Sequence, residues 1–308
     1  MKFVYVSCCD NGLFGLHHLV SRGHKPEFVV TIRPELGSKY AVSGYVDFSG
    51  ACKTLGIKVV SLNDYSFRAE DLPRNSADIL IVNGWNRLIP SEVIAKFKHG
   101  GVGIHAGHPP IGLGRAPLPW SLIKGLRSFE VYVFRLTERA DDGDILAFET
   151  MEITLFDSVK TLYEKVMLRG ALLFEKVLQM NDSSGLKGSA QNLDFAVHFP
   201  KRTPEDGKVL FSETCESLYN FIRAQTRPYP GAFFSFKNEI YRLWSAIPFD
   251  SHYQILPHRH PGKVIVNLPT GPVVQTGTTG LWLTEITDST GKNVTARADL
   301  FCEGGVLE

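Results

Sequence analysis

ILIVNGWNRLIP, residues 79–90, runs four consecutive apolar side chains into a polar, aromatic loop that ends at Pro90. A strand of Ile, Leu, Ile and Val has no polar alternate to offer solvent, so it predicts a strand buried on both faces, as parallel sheets require. The same grammar extends outward. Residues 3–6 and 28–32 read as short strands, 101–105 and 131–136 as two more, and 13–21 and 46–55 as helices between them. Strands alternating with helices point to βαβ units and a Rossmann-like parallel sheet over the first 180 residues.

From Asp157, a good N-cap, apolar residues recur as Val159, Leu162, Tyr163, Val166, Leu173, Phe174 and Val177, one face of a long helix that closes this domain. Residues 181–203 open with NDSSGLKGSAQN and read as a linker. Residues 204–308 hold short strands rich in Gly and Pro (GAFFSF, IYRLW, GKVIVNL, GLWLTEI) and one helix near 216–224, which suits a small OB-like β-barrel. The expected division is therefore 1–180, 181–203 and 204–308.

A formal net charge of +1 over 308 residues gives no general attraction to nucleic acid or anionic membrane. The first residues, MKFVYVSCCDNGLFGL, lack an apolar stretch long enough for a signal or a span, so a cytoplasmic protein is expected. Five cysteines without zinc-type spacing suggest neither a disulfide framework nor a metal. His258 and His260 in PHRHP read as exposed loop residues.

Ligands of an open parallel sheet bind beyond the carboxyl ends of its strands, so the residues just after each strand are the informative ones. Three segments qualify. The turn SCCDNG, 7–12, lacks the G-x-G-x-x-G spacing of a dinucleotide site, which disfavours nicotinamide and flavin. Cys9, Asp10 and Asn11 on that turn, with Arg115 further along, are candidate substrate contacts. The loop GWNRLIP offers Trp85, Asn86, Arg87, Leu88 and Ile89 as a lip for a planar ligand. Finally GVGIHAGHPPIGLGRAPLPW, 101–120, followed by RADDGD, 139–144, puts His105 at a strand end and Asp141 in a returning acidic turn, which could form a His/Asp pair.

At this point the sequence resembles the 10-formyltetrahydrofolate-dependent formyltransferases, which include methionyl-tRNA formyltransferase and the sugar N-formyltransferases. Their motif N-x-H-x-S-L-L-P, then R-G, then D-x-G, places His105 on the catalytic His, Pro110 on the Pro, Gly114 on the Gly and Asp141 on the catalytic Asp. GWNRLIP resembles the loop whose backbone holds the pterin of the folate, and FPKRTPEDGKVLF with LYNFIRAQTRPYPGAFFSF resembles the opening of the C-terminal barrel. The catalytic Asn of the motif is Gly103 here.

The resemblance implies formyl transfer from 10-formyltetrahydrofolate to an amine, with His105 facing the formyl oxygen and Asp141 orienting the imidazole and helping to take the amine proton. The missing amide donor would cost about 3–4 kcal/mol of transition-state stabilisation unless replaced. His108 is the favoured replacement, with Asn83, Asn86 or a water in the space at Gly103 as alternatives. Restoring Asn at 103 is expected to leave activity intact or raise it. RADDGD and the neutral charge favour a nucleotide-linked amino sugar as acceptor. A methionyl-tRNA formyltransferase and a repurposed, non-catalytic folate-binding homologue stay open, as does a homodimer.

Overall fold

The computed structural model describes residues 1–73, 77–109, 111–180, 185–192, 194, 197–249 and 260–308; Pro110, residues 181–184 of the expected linker and His258 lie outside them. Two compact units emerge. One comprises Met1–Gly114, Phe129–Met151 and Glu164–His198, and the other Arg115–Ser128, Glu152–Tyr163 and Phe199–Glu308. Two segments expected within the first domain thus group with the residues after 199. Contacts explain why. The helix at Pro117–Ile123 packs on the helix at Cys215–Gln225. The Arg223 guanidinium donates to the carbonyls of Thr154 and Asp157, at 2.7 Å each.

The first unit contains β1 (Phe3–Val6), α1 (Asp10–Ser21), β2 (Phe28–Ile32), α2 (Pro34–Lys39), α3 (Ser49–Leu55), β3 (Lys58–Leu62), β4 (Ile79–Val82), α4 (Ser91–Ile94), β5 (Gly101–Gly107) and β6 (Ile111–Gly114). Strands β7 (Ser128–Arg135) and β8 (Ile145–Glu152), helix α6 (Val159–Leu178) and β9 (Val197–Phe199) follow. Seven strands form one sheet in the order β3-β2-β1-β4-β5-β7-β8. From β3 to β5 neighbours are parallel, as the apolar runs predict, and every residue of β1 and β4 is buried. β7 runs antiparallel to β5. A short apolar run reads alike in both directions, so the residue pattern could not reveal that reversal.

α1 begins at Asp10, earlier than the apolar pattern indicates, because its first turn lies hard against the strand ends. A Cβ on Gly12 would collide with the Ser7 side chain and the Asn83 carbonyl, so only glycine permits that approach. In α6 the expected stripe holds at Val159, Leu162, Leu173, Phe174 and Val177, which are buried, whereas Tyr163 is exposed. Asp157 does not serve as a simple cap. Its carboxylate accepts from Thr154 N and Oγ1 and from Thr161 Oγ1, locking the turn before the helix.

The second unit holds α5 (Pro117–Ile123), α7 (Cys215–Gln225) and strands β10 (Ala232–Phe236), β11 (Glu239–Phe249), β12 (Val264–Leu268), β13 (Gly271–Gln275) and β14 (Gly280–Thr287). The strands pair antiparallel in the order β10-β11-β14-β13-β12. Residues 305–308 bond both outer strands: Val264 N donates to Gly305 O and Glu308 N to Ser235 O, each at 2.8 Å. That bridging segment gives the sheet its barrel-like closure and covers two edges. Thr214 caps α7 by accepting from Ser217 N. Phe234, Leu243, Leu281, Leu283, Ile286 and Phe301 fill the core, each adding about 1.5–3 kcal/mol by burial. Among the described residues no helix is long and apolar enough to cross a membrane.

Candidate active site

β5 carries His105 just past the point where Val82 of β4 pairs with Gly103, so the imidazole stands at the carboxyl ends of two adjacent parallel strands. The turn after β7 returns Asp141 to it, with Nδ1 of His105 and Oδ2 of Asp141 3.6 Å apart. Their side chains are 13% and 21% exposed, enclosed yet reachable by a ligand. Asp141 has φ +60°, a left-handed conformation that few residue types other than glycine, Asn and Asp adopt readily. Gln191 holds that turn, its Nε2 donating to the carbonyls of Asp141 at 2.8 Å and Gly143 at 2.7 Å. Nothing in the sequence around Gln191 marks it, because it acts on backbone groups from a polar stretch that reads as linker.

Gly103 lies on the same face of β5 as His105, two residues back. A Cβ there would stand 3.0 Å from Leu136 Cδ2 and 3.3 Å from Phe134 Cζ. A side chain at position 103 would therefore press on hydrocarbon that must give by a few tenths of an ångström. Cross-strand from this face, Phe134 pairs with Gly103 and Tyr132 with His105. Their rings stand 6.0 Å apart, and His105 meets Tyr132 edge to face at 5.7 Å.

Among the replacement donors named above, Asn83 is committed. Its amide donates to the Tyr5 hydroxyl at 3.0 Å, and that hydroxyl in turn donates to Gly12 O at 2.7 Å. Asn86 is exposed, and His108 is half-buried immediately past β5.

The 85–89 loop has a different character. Trp85 packs edge-on against Tyr65 at 4.8 Å, with Phe67 beyond it at 6.5 Å, and Arg87 lies over the rings of Tyr65 and Tyr40 at 4.6 and 4.9 Å. Ile89 is buried and anchors the loop, whereas Leu88 is 61% exposed. No backbone group of Trp85, Asn86, Arg87 or Leu88 hydrogen-bonds another backbone group among the described residues. The Asn86 N–H is turned to the Tyr65 phenol, whose pKa is pushed up by burial first and then by its contact with Cys8. The buried Trp85 Nε1 has no hydrogen-bond partner among the described residues.

The turn after β1 is more closed than its sequence suggests. Cys9 is 5% exposed and its thiol donates to Ser43 O at 3.4 Å, so it packs inward. The neighbouring Cys8 sulfur, 3.9 Å away, and burial push the Cys9 thiol up, which leaves it protonated at neutral pH. Asp10 is exposed and accepts from Asn11 N, while Asn11 accepts from Gly12 N, both through their side chains. Arg115 is exposed and belongs to the second unit. No group of three or more His, Cys, Asp or Glu among the described residues is placed to hold a metal.

Residues 60–178 match the formyl transferase family and residues 201–301 the formyl transferase C-terminal domain. The bifunctional polymyxin resistance protein ArnA of Wigglesworthia glossinidia brevipalpis is 28% identical over 267 residues, covering 86% of this chain and 40% of that protein. The chain thus spans less than half the length of that curated relative. Two solved structures share the fold. The N-formyltransferase of Helicobacter canadensis, solved with folinic acid and dTDP-3-aminofucose, has TM-score 0.66, 15% identity and coverage of 92% of this chain and 99% of that one. HypX of Aquifex aeolicus, solved with tetrahydrofolic acid, has TM-score 0.61, 19% identity and coverage of 95% and 45%. With formyl transferase matches at 60–178 and 201–301, the chain belongs to the formyltransferase family.

Proposed function

We propose that this chain transfers a formyl group from 10-formyltetrahydrofolate to the amine of a small acceptor, a nucleotide-linked amino sugar, with His105 and Asp141 as the catalytic pair. The observation that carries the reading is the enclosed His105–Asp141 pair at 3.6 Å, at the strand ends where this fold class binds ligands. Catalytic hydrogen bonds are commonly long without substrate and tighten around it, and a 3.6 Å separation is within reach of that tightening.

The 85–89 loop fits the folate. A pterin presents donors and acceptors along one planar edge. The backbone of Trp85, Arg87 and Leu88, which makes no backbone–backbone hydrogen bond among the described residues, and the adjoining aromatic wall offer complementary groups and a flat surface. The folate supplies an activated one-carbon unit already at the formyl oxidation state. The protein's task is to strip a proton from the amine and to keep water out. In the transfer the acceptor's N–C bond forms as the bond from the formyl carbon to the folate nitrogen breaks. The amine proton passes by way of His105 and Asp141 to the departing nitrogen, and both side chains end as they began.

Charge supports a small acceptor over tRNA. Residues 199–308 carry eleven basic and eleven acidic side chains, whereas a surface that grips several phosphates carries a marked basic excess. The Helicobacter canadensis neighbour binds a dTDP-linked amino sugar, and the same acceptor class is proposed here.

The test is calorimetry with 5-formyltetrahydrofolate, then turnover of 10-formyltetrahydrofolate with dTDP- and UDP-linked amino sugars and with methionyl-tRNA. Binding at about micromolar Kd (about −8 kcal/mol) and formylation of an amino sugar is the expected result. Absence of folate binding ends the proposal, and formylation of the tRNA alone replaces the acceptor. Folate binding with no turnover on any amine leaves a folate-binding homologue.

A further inference from the structure

Tyr132 sits directly across the β5–β7 ladder from His105, with the two rings edge to face at 5.7 Å. It is 0% exposed, and its hydroxyl has no hydrogen-bond partner among the described residues. A buried tyrosine hydroxyl normally finds a partner, and leaving one unmade costs about 1–3 kcal/mol. Phenylalanine would fill the same space without that cost, as Phe134 does two residues on, so packing alone gives no reason for the oxygen.

The groups around it supply one. His105 faces it from β5, Glu130 lies two residues back on its own strand, and Asp141 approaches from the turn beyond β7. Burial first, then the negative charges of Asp141 and Glu130, hold the phenol protonated far above its ordinary range. It is therefore a neutral donor at every working pH, with its ring against His105, which itself stands 3.6 Å from the Asp141 carboxylate. The 3.6 Å gap between His105 and Asp141 leaves the carboxylate room to settle as ligands bind.

We propose that Tyr132 is a positioning residue of the His105–Asp141 pair, its hydroxyl donating to the Asp141 carboxylate when the pair closes on substrate. The proposal rests on the reading of that pair as the catalytic one. The phenol would engage one carboxylate oxygen and so present the other to Nδ1 of His105. A charge-assisted O–H to carboxylate bond is among the stronger hydrogen bonds a side chain can make. It also draws charge away from the oxygen that faces the imidazole.

The experiment is Tyr132→Phe in the full chain, which removes one oxygen and keeps the ring. Thermal stability should hold or rise, since the variant deletes an unpartnered polar group. With 10-formyltetrahydrofolate and its acceptor, kcat should fall about tenfold while both KM values stay within about twofold, the pattern of a lost transition-state interaction. By NMR of the 5-formyltetrahydrofolate complex, the titration midpoint of the His105 imidazole should rise, because the carboxylate no longer shares its charge with the phenol. Replacement of Tyr132 by 3-fluorotyrosine, which keeps the O–H, should restore most of kcat.

Wild-type kcat with an unmoved His105 midpoint overturns the proposal. A lowered kcat with an unmoved midpoint overturns it as well, because the hydroxyl would then act on substrate and not through the pair. The underlying reading fails separately, by full turnover in His105→Ala, and the His105 midpoint in Tyr132→Phe does not depend on turnover.

Discussion

The wall around His105 and the loop at 85–89 stand at the ends of adjacent strands and are built by opposite rules. Around His105, Gly101 and Gly103 make room for Leu136 and Phe134 to close over the strand, Tyr132 lies across from the imidazole, and Gln191 clamps the Asp141 turn from outside. Along the 85–89 loop the backbone is left without backbone partners and the indole N–H of Trp85 unbonded among the described residues. Groups that perform chemistry must be fixed before the substrate arrives, because each loose degree of freedom is lost from the rate. On the proposed reading, the loop that holds the folate keeps hydrogen-bonding capacity for it.

That contrast can be broken most decisively at the pair itself. His105→Ala and Asp141→Asn should each lower kcat by about 10²–10⁴-fold with little change in thermal midpoint. Asp141→Asn keeps a residue suited to the left-handed turn, so loss of activity in a folded variant would isolate the charge. Near wild-type turnover in either would remove the pair from the site.

A smaller effect is expected at the clamp. Gln191→Ala deletes two bonds to the Asp141 turn and should lower stability by about 1–3 kcal/mol and kcat by about tenfold, measured by denaturant unfolding and steady-state kinetics. Activity loss without any stability loss would contradict a clamping role.

Gly103→Asn probes the packed wall. Its Cβ meets Leu136 and Phe134 at 3.0 and 3.3 Å, so overpacking should cost about 1–3 kcal/mol. A variant as stable as the parent but faster would show that the wall yields and that the amide can still serve as an oxyanion donor.

The mildest change belongs to the loop. Trp85→Leu should raise KM for the formyl donor about tenfold at nearly constant kcat, the mark of lost uniform binding. A fall in kcat instead would mean that the loop, too, is part of the prearranged machinery.

Strand and helix positions in the first unit were legible because continuous apolar runs and a 3.6-residue stripe survive in the residues themselves. Phe3–Val6, Phe28–Ile32 and Ile79–Val82 match their expected bounds. β3 leaves no such mark because, as an edge strand with Lys58 and Ser61 exposed, it lacks a continuous apolar signature. The reversal of β7 is written in no local pattern, and neither is the grouping of Arg115–Ser128 with residues far downstream. Motif and spacing single out His105 and Asp141, and the structure brings their side chains to 3.6 Å. Gln191 and Tyr132 were not, because each is defined by what lies across from it in space.

The division of the chain has a temporal side. The second unit takes up Arg115–Ser128 and Glu152–Tyr163 but draws its sheet from residues after 199. On a ribosome those early segments, including Leu118 and Leu122, which end fully buried, emerge well before their partners exist. At roughly 5–20 residues per second the wait is on the order of ten seconds. During that interval those apolar side chains lack the later residues of their own unit, in a nascent chain whose first sheet can already be complete.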